Sequence, residues 1–161
     1  GAIGRLVIPA AEALGMKTVG YDPFLDAERA ATISPNLRFT DNLLDLCASC
    51  DYITIHVPAT PKTKGMIGAD EIAAMKEGAA FLNFSRDTLV DNDAMRAGLT
   101  SGKVRRYVTD FATPEVMAME GALVLPHLGA STAEAEENCA EMAVREVMDY
   151  LETGKKVHCI N

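Results

Sequence analysis

Short apolar runs alternate with helical patterns along this chain, and that rhythm limits its fold more than any other feature. Residues 17–21, 51–57, 79–84, 104–109 and 122–125 read as strands, several of them closed by proline or by polar residues. Between them, residues 4–14, 41–49, 69–76 and 91–101 carry helical spacing, and a long helix capped by Ser131 runs to about Glu152 before Gly154 stops it. Pro9 falls inside the first helix, removes one backbone donor and is expected to kink it. The fold expected is α/β, a doubly wound parallel sheet, with no internal repeat, low-complexity tract or linker.

In such a sheet, ligands bind beyond the carboxyl ends of the strands. Two expected strands lead there into Asn83-Phe84-Ser85-Arg86 and Pro126-His127-Leu128-Gly129-Ala130-Ser131-Thr132. A guanidinium is a permanent, forked donor suited to a carboxylate, and an imidazole titrates near neutral pH. At the other end of the chain, Gly1-Ala2-Ile3-Gly4 opens a helix, and Asp22 closes the next strand 18 positions after Gly4. This is the back half of a dinucleotide fingerprint. Glycines admit a pyrophosphate to the helix N-terminus, and an acid about 20 residues on accepts from the ribose hydroxyls. Taken singly, G-x-x-G reads equally as a tight turn and Asp22 as a turn former.

Composition narrows the partners. With 15 Lys and Arg against 23 Asp and Glu, the net charge is −8, so a nucleic-acid surface is not expected. No apolar stretch reaches the ~18 residues that span a bilayer, and no signal-peptide pattern is seen, so no membrane partner and a cytoplasmic location are expected. Cys47 and Cys50 form a C-x-x-C, but Cys139 and Cys159 stand far downstream and a four-ligand zinc pattern is missing. The helical spacing of Leu43, Leu46, Cys47 and Cys50 favours a buried face over redox chemistry, and no metal site is expected.

Five motifs in order resemble the D-isomer-specific 2-hydroxyacid dehydrogenases: Gly1-Ala2-Ile3-Gly4-Arg5, His56-Val57-Pro58, Asn83-Phe84-Ser85-Arg86 with Leu89-Val90-Asp91, Val108-Thr109-Asp110-Phe111, and Pro126 to Thr132. The last, continuing to Glu134-Ala135-Glu136-Glu137-Asn138, is most similar to the phosphoglycerate branch. The resemblance implies a Rossmann-type domain that binds NAD, a small 2-hydroxy acid as substrate, and a homodimer. It also implies that Arg86 orients the substrate and that His127 exchanges the hydroxyl proton. Gly1, Ala2, Ile3, Gly4, Asp22, His56, Val57, Pro58, Phe84, Ser85, Arg86, Asp110, His127, Gly129 and Ala130 would line the cofactor cleft, with Asp110 near the nicotinamide carboxamide and His56 acting mainly through backbone. Asp22 favours NAD, because its charge repels a 2′-phosphate.

Two departures from the family pattern bear on the site. Asp87 stands where the family has glycine, so an ion pair with Arg86 and a left-handed turn are both expected there. The catalytic glutamate segment reads Asp110-Phe111-Ala112-Thr113-Pro114-Glu115, with a shortened loop onward to His127. Glu115 keeps the offset from Asp110 and is the expected partner of His127, and Glu120 is a second carboxylate nearby. Residues 1–154 read as the cofactor domain of a longer chain, lacking its first strand, and 155–161 as the return toward a substrate domain. The activity implied is hydride transfer between NAD(H) and 3-phosphoglycerate/3-phosphohydroxypyruvate. The alternatives are another 2-hydroxy acid such as glycerate or lactate, or an NAD(H)-sensing module without turnover.

Overall fold

A computed structural model describes residues 1–158, so Cys159 and the last residues of the expected return segment lie outside the described residues. The chain divides into two compact units, Gly1–Pro126 and His127–Asn161.

The first unit alternates helix and strand: α1 (Ala2–Ala13), β1 (Val19–Gly20), α2 (Ala27–Ala31), β2 (Arg38–Phe39), α3 (Leu43–Ser49), β3 (Tyr52–Ile55), α4 (Ala69–Ala74), β4 (Ala79–Asn83), α5 (Asn92–Ser101), β5 (Val104–Thr109), α6 (Pro114–Met117) and β6 (Ala122–Val124). All pairings are parallel, in a two-stranded sheet β1-β2 and a four-stranded sheet β3-β4-β5-β6. β1 and β3 are both edge strands, whereas the usual doubly wound order 3-2-1-4-5-6 sets a further strand between their counterparts.

β4 is the spine of the core. Four of its five residues are buried, and Phe81 packs its ring 6.1 Å from that of Tyr107 on β5. Burying a side chain the size of Phe81 contributes about 1.5–3 kcal/mol. Ile53, Ile55, Ile72, Met95 and Val104 belong to the same buried core cluster. β6, expected over 122–125, is half exposed because it forms the sheet's edge. Gly98 lets α5 approach its neighbours, since a Cβ there would lie 2.7 Å from Ile72 Cγ2 and 3.2 Å from Val104 Cγ2.

Several local expectations are corrected. α1 runs unbroken through Pro9, which is exposed, and stops where Gly15 takes a φ of +82°. The helix expected over 41–49 starts later, at Leu43, because Asn42 caps α3, its side chain accepting from the backbone of Leu44 and Asp45. The expected strand 51–57 is shorter, and His56 and Val57 lie beyond its end. In the second unit α7 (Ala133–Thr153) is capped by Thr132, not Ser131, with Thr132 Oγ1 accepting from Ala135 N at 3.1 Å. Gly154 ends α7 in the left-handed region, as its position in the sequence implies.

Candidate functional site

Parallel register aligns the ends of the four core strands. Ile55 pairs with Asn83, Asn83 with Thr109, and Thr109 with Val124, so these residues form one row along the carboxyl edge. The next residues in each strand are His56, Phe84, Asp110 and Leu125. Three of the sequence motifs therefore emerge side by side for a purely topological reason.

Buried polar side chains shape the turn after β4. Asn83 is fully buried: its Nδ2 donates to the Arg86 carbonyl at 2.8 Å, and its Oδ1 accepts from Ser85 N at 3.1 Å. Thr109 Oγ1 donates to the Asn83 carbonyl at 2.8 Å and accepts from Phe111 N at 3.3 Å. Ser85 Oγ donates to the Val57 carbonyl at 2.7 Å, which joins the His56-Val57-Pro58 segment to the arginine turn. Satisfying each of these buried groups removes a desolvation penalty of about 1–3 kcal/mol. The exits of β3, β4 and β5 thus form one hydrogen-bonded network. Asn83 and Thr109 stand inside two of the sequence motifs, but the sequence assigned neither of them a role. The available signal was a polar residue ending the apolar run of β4, opposite a threonine in register.

Arg86 is exposed, and its Nη1 donates to the Ser85 carbonyl at 2.6 Å. The ion pair expected with Asp87 is not found among the described residues; Asp87 Oδ1 accepts instead from Thr88 N at 2.8 Å. Nor does Asp87 need a left-handed backbone, because residues Asp87–Leu89 form a 3-10 turn and Arg86 is extended. That geometry explains how the turn dispenses with glycine.

Glu115 lies in the first turn of α6, whose cap is Thr113 and whose first residue is Pro114. Its Oε2 accepts from Asn92 Nδ2, at the start of α5, at 3.1 Å. A cavity of about 300 Å³ opens beside it, lined among others by Lys64, Asp87, Asn92, Phe111 and Thr113. Asp110 is half-buried at the end of β5 with one carboxylate oxygen withdrawn from solvent. Glu120 is exposed, between α6 and β6.

At the other sheet, Asp22 follows β1, and its Oδ2 lies 3.7 Å from the backbone nitrogen of Gly1 at the start of α1. Asp22 Oδ1 accepts from Phe24 N at 2.9 Å, which orients the carboxylate. A Cβ on Gly1 or Gly4 would meet no atom within 4 Å, so the backbone at the start of α1 is open to a ligand. Free helix N–H groups beside a fixed carboxylate suit a pyrophosphate joined to a ribose diol. This donor and acceptor set fits NAD.

His56 is half-buried, with Nε2 3.1 Å from Thr54 Oγ1. Burial pushes its pKa below the ordinary histidine value. In the second unit, His127, Gly129 and Ala130 are exposed ahead of α7, and a Cβ at Gly129 would meet nothing within 4 Å. Cys47 is wholly buried in the core and Cys50 half-buried; burial pushes the Cys47 thiol up to about 11. Among the described residues, no cluster of three potential metal ligands occurs, and no helix is long and apolar enough to cross a membrane.

Comparison with known proteins adds the lineage. A D-3-phosphoglycerate dehydrogenase of Methanocaldococcus jannaschii is 35% identical over 157 residues, covering 94% of this chain and 30% of the relative. One from Mycobacterium bovis is 39% identical over 143 residues, covering 85% of this chain and 26% of that protein. The chain therefore spans less than a third of the length of these curated relatives. Among solved structures, D-lactate dehydrogenase with NAD+ from Lactobacillus jensenii superposes with a TM-score of 0.82 at 26% identity, covering all of this chain and 53% of that one. Residues 1–129 match the family described as "D-isomer specific 2-hydroxyacid dehydrogenase, NAD binding domain". With the parallel α/β architecture and the open, acid-flanked start of α1, these matches establish that the chain belongs to that NAD-binding family.

Proposed function

We propose that this chain is the cofactor domain of an NAD-dependent D-2-hydroxyacid dehydrogenase whose substrate pair is 3-phosphoglycerate and 3-phosphohydroxypyruvate. The observation that carries the reading is the aligned row of strand ends, which presents the His56, Arg86 and Asp110 segments along one edge. The names of the curated relatives above favour the phosphorylated substrate over lactate. The cofactor domain is assigned to residues 1–154, with 155–161 leading toward a substrate domain. The protein is assigned to the cytoplasm as a homodimer.

The N–H groups of Ala2, Ile3 and Gly4 would hold the pyrophosphate, and Asp22 would accept from the adenosine ribose and disfavour a 2′-phosphate. His56, Val57 and Pro58 line the cleft largely through backbone, beside Phe84 and Ser85. Asp110 would accept from the nicotinamide carboxamide, and Gly129 and Ala130 would contribute to the same cofactor cleft. When bound, NAD(H) supplies or takes the hydride at C2 of the substrate. Arg86 pairs its forked donors with the substrate carboxylate and 2-oxygen, fixing the orientation of C2. His127 gives a proton to the 2-oxygen in reduction and withdraws it in oxidation. Glu115 is the carboxylate assigned to stabilise the His127 imidazolium, with Glu120 as the alternative.

The test is NADH oxidation by the full-length protein with 3-phosphohydroxypyruvate, pyruvate, hydroxypyruvate and glyoxylate. The highest kcat/KM with the phosphorylated acid is expected. Preference for another keto acid replaces the substrate, whereas binding of NADH without any turnover favours a sensing module.

A further inference from the structure

Helix α1 carries the start of the dinucleotide site, yet none of its residues is buried. It meets the rest of the unit through a half-buried stripe of Gly4, Val7, Ile8, Ala11 and Glu12. The last of these interrupts an apolar pattern with a carboxylate.

Both oxygens of Glu12 are used. Oε1 accepts from Thr18 Oγ1 at 2.6 Å and from Ser34 Oγ at 3.0 Å, and Oε2 accepts from Ser34 Oγ at 2.7 Å. Thr18 immediately precedes β1, and Ser34 lies between α2 and β2. Ser34 is itself buried, and its Oγ also accepts from Asn36 N at 3.1 Å. One carboxylate therefore ties α1 to the segments leading into both strands of the small sheet. Hydrogen bonds to an ionised acceptor are short and about twice as strong as neutral ones, so this cluster holds the C-terminal end of α1 in place.

We propose that Glu12 is a positioning residue for the dinucleotide: it fixes α1 against β1 so that the N–H groups opening the helix keep their spacing from Asp22. The lever is long. Twelve residues at ~1.5 Å each make α1 about 18 Å long, so a tilt of about 4° at the Glu12 end shifts Gly1 by roughly 1 Å. A ligand that spans both the helix start and Asp22 feels that shift. One that contacts the Asp22 side alone does not. The inference rests on NAD binding by the family and not on the substrate assignment.

The test uses calorimetric titration of the full-length protein with NADH and, separately, with adenosine, which carries the ribose but no pyrophosphate. Glu12→Ala is expected to raise the Kd for NADH about tenfold while changing that for adenosine by less than twofold. Glu12→Gln keeps one acceptor and adds a donor that both hydroxyls can accept, so it should restore NADH affinity to within about threefold. If Glu12→Ala does not fold, Thr18→Ala and Ser34→Ala each remove one donor and should weaken NADH severalfold with adenosine unchanged. NADH affinity that is unaltered in these variants, or NADH and adenosine affinities that fall in proportion, overturns the proposal. A wild-type protein that binds neither ligand overturns the NAD reading itself.

Discussion

Replacing Asn83 by alanine removes the two side-chain hydrogen bonds that hold the turn carrying Arg86. The bond received from Thr109 survives because it ends on the Asn83 backbone. Each lost bond is worth about 1 kcal/mol net, and a partner left buried without water adds to that. Ser85 is half-buried and Arg86 exposed, so water recovers part of the loss. The expected destabilisation is about 2–3 kcal/mol. Urea unfolding of the full-length protein, followed by far-UV circular dichroism, reads this as a lower midpoint at unchanged slope. Because the freed groups shape the arginine turn, KM for the keto acid should rise more than the Kd for NADH. A stability change below about 0.5 kcal/mol, with KM unaltered, would refute the view that Asn83 builds this turn.

Gly98→Ala puts a methyl 2.7 Å from Ile72 Cγ2, and overpacking of this kind costs about 1–3 kcal/mol, partly offset by alanine's better helix propensity. Unchanged thermal stability would show that α4 and α5 separate freely. Cys47, with its thiol pushed up to about 11, stays protonated at pH 8, so iodoacetamide should modify exposed Cys139 while sparing Cys47 until the chain unfolds. Mass spectrometry of labelled peptides checks the order, and equal labelling rates would contradict the burial. His56 has its folded pKa below the unfolded value near 6.5, so the unfolded state binds more protons between the two. Its contribution is present above pH 6.5 and is lost as pH falls through the folded pKa. His56→Gln should therefore flatten the loss of stability between pH 8 and pH 5, and an unchanged profile would argue that another group governs it.

Much of the architecture was legible because apolar runs such as residues 79–82 have one good home, the centre of a parallel sheet. The short elements were not. β2 is a two-residue strand and α2 a five-residue helix capped by Asp26, and neither is long enough to show a period. α6 did carry a readable start signal in Thr113-Pro114-Glu115, a cap followed by proline and an acid. The motif residues at the exits of β3, β4 and β5 were found where the sheet brings them together. What no local pattern announced is the wiring behind them, since Thr109 to Asn83 and Ser85 to Val57 are contacts between residues more than 25 positions apart. The same holds for Glu12 and Ser34, joined across 22 positions. Sequence periodicity sees elements, whereas these bonds depend on register between elements.

The most direct test of the account is a paired measurement on the full-length protein and its His127→Ala variant: NADH affinity, and turnover with 3-phosphohydroxypyruvate. Loss of a positioned acid/base group costs about 10²–10⁴ in rate, so turnover should fall by that factor while the Kd for NADH stays within about twofold. Turnover that survives the substitution would contradict the assignment of His127 as the proton carrier.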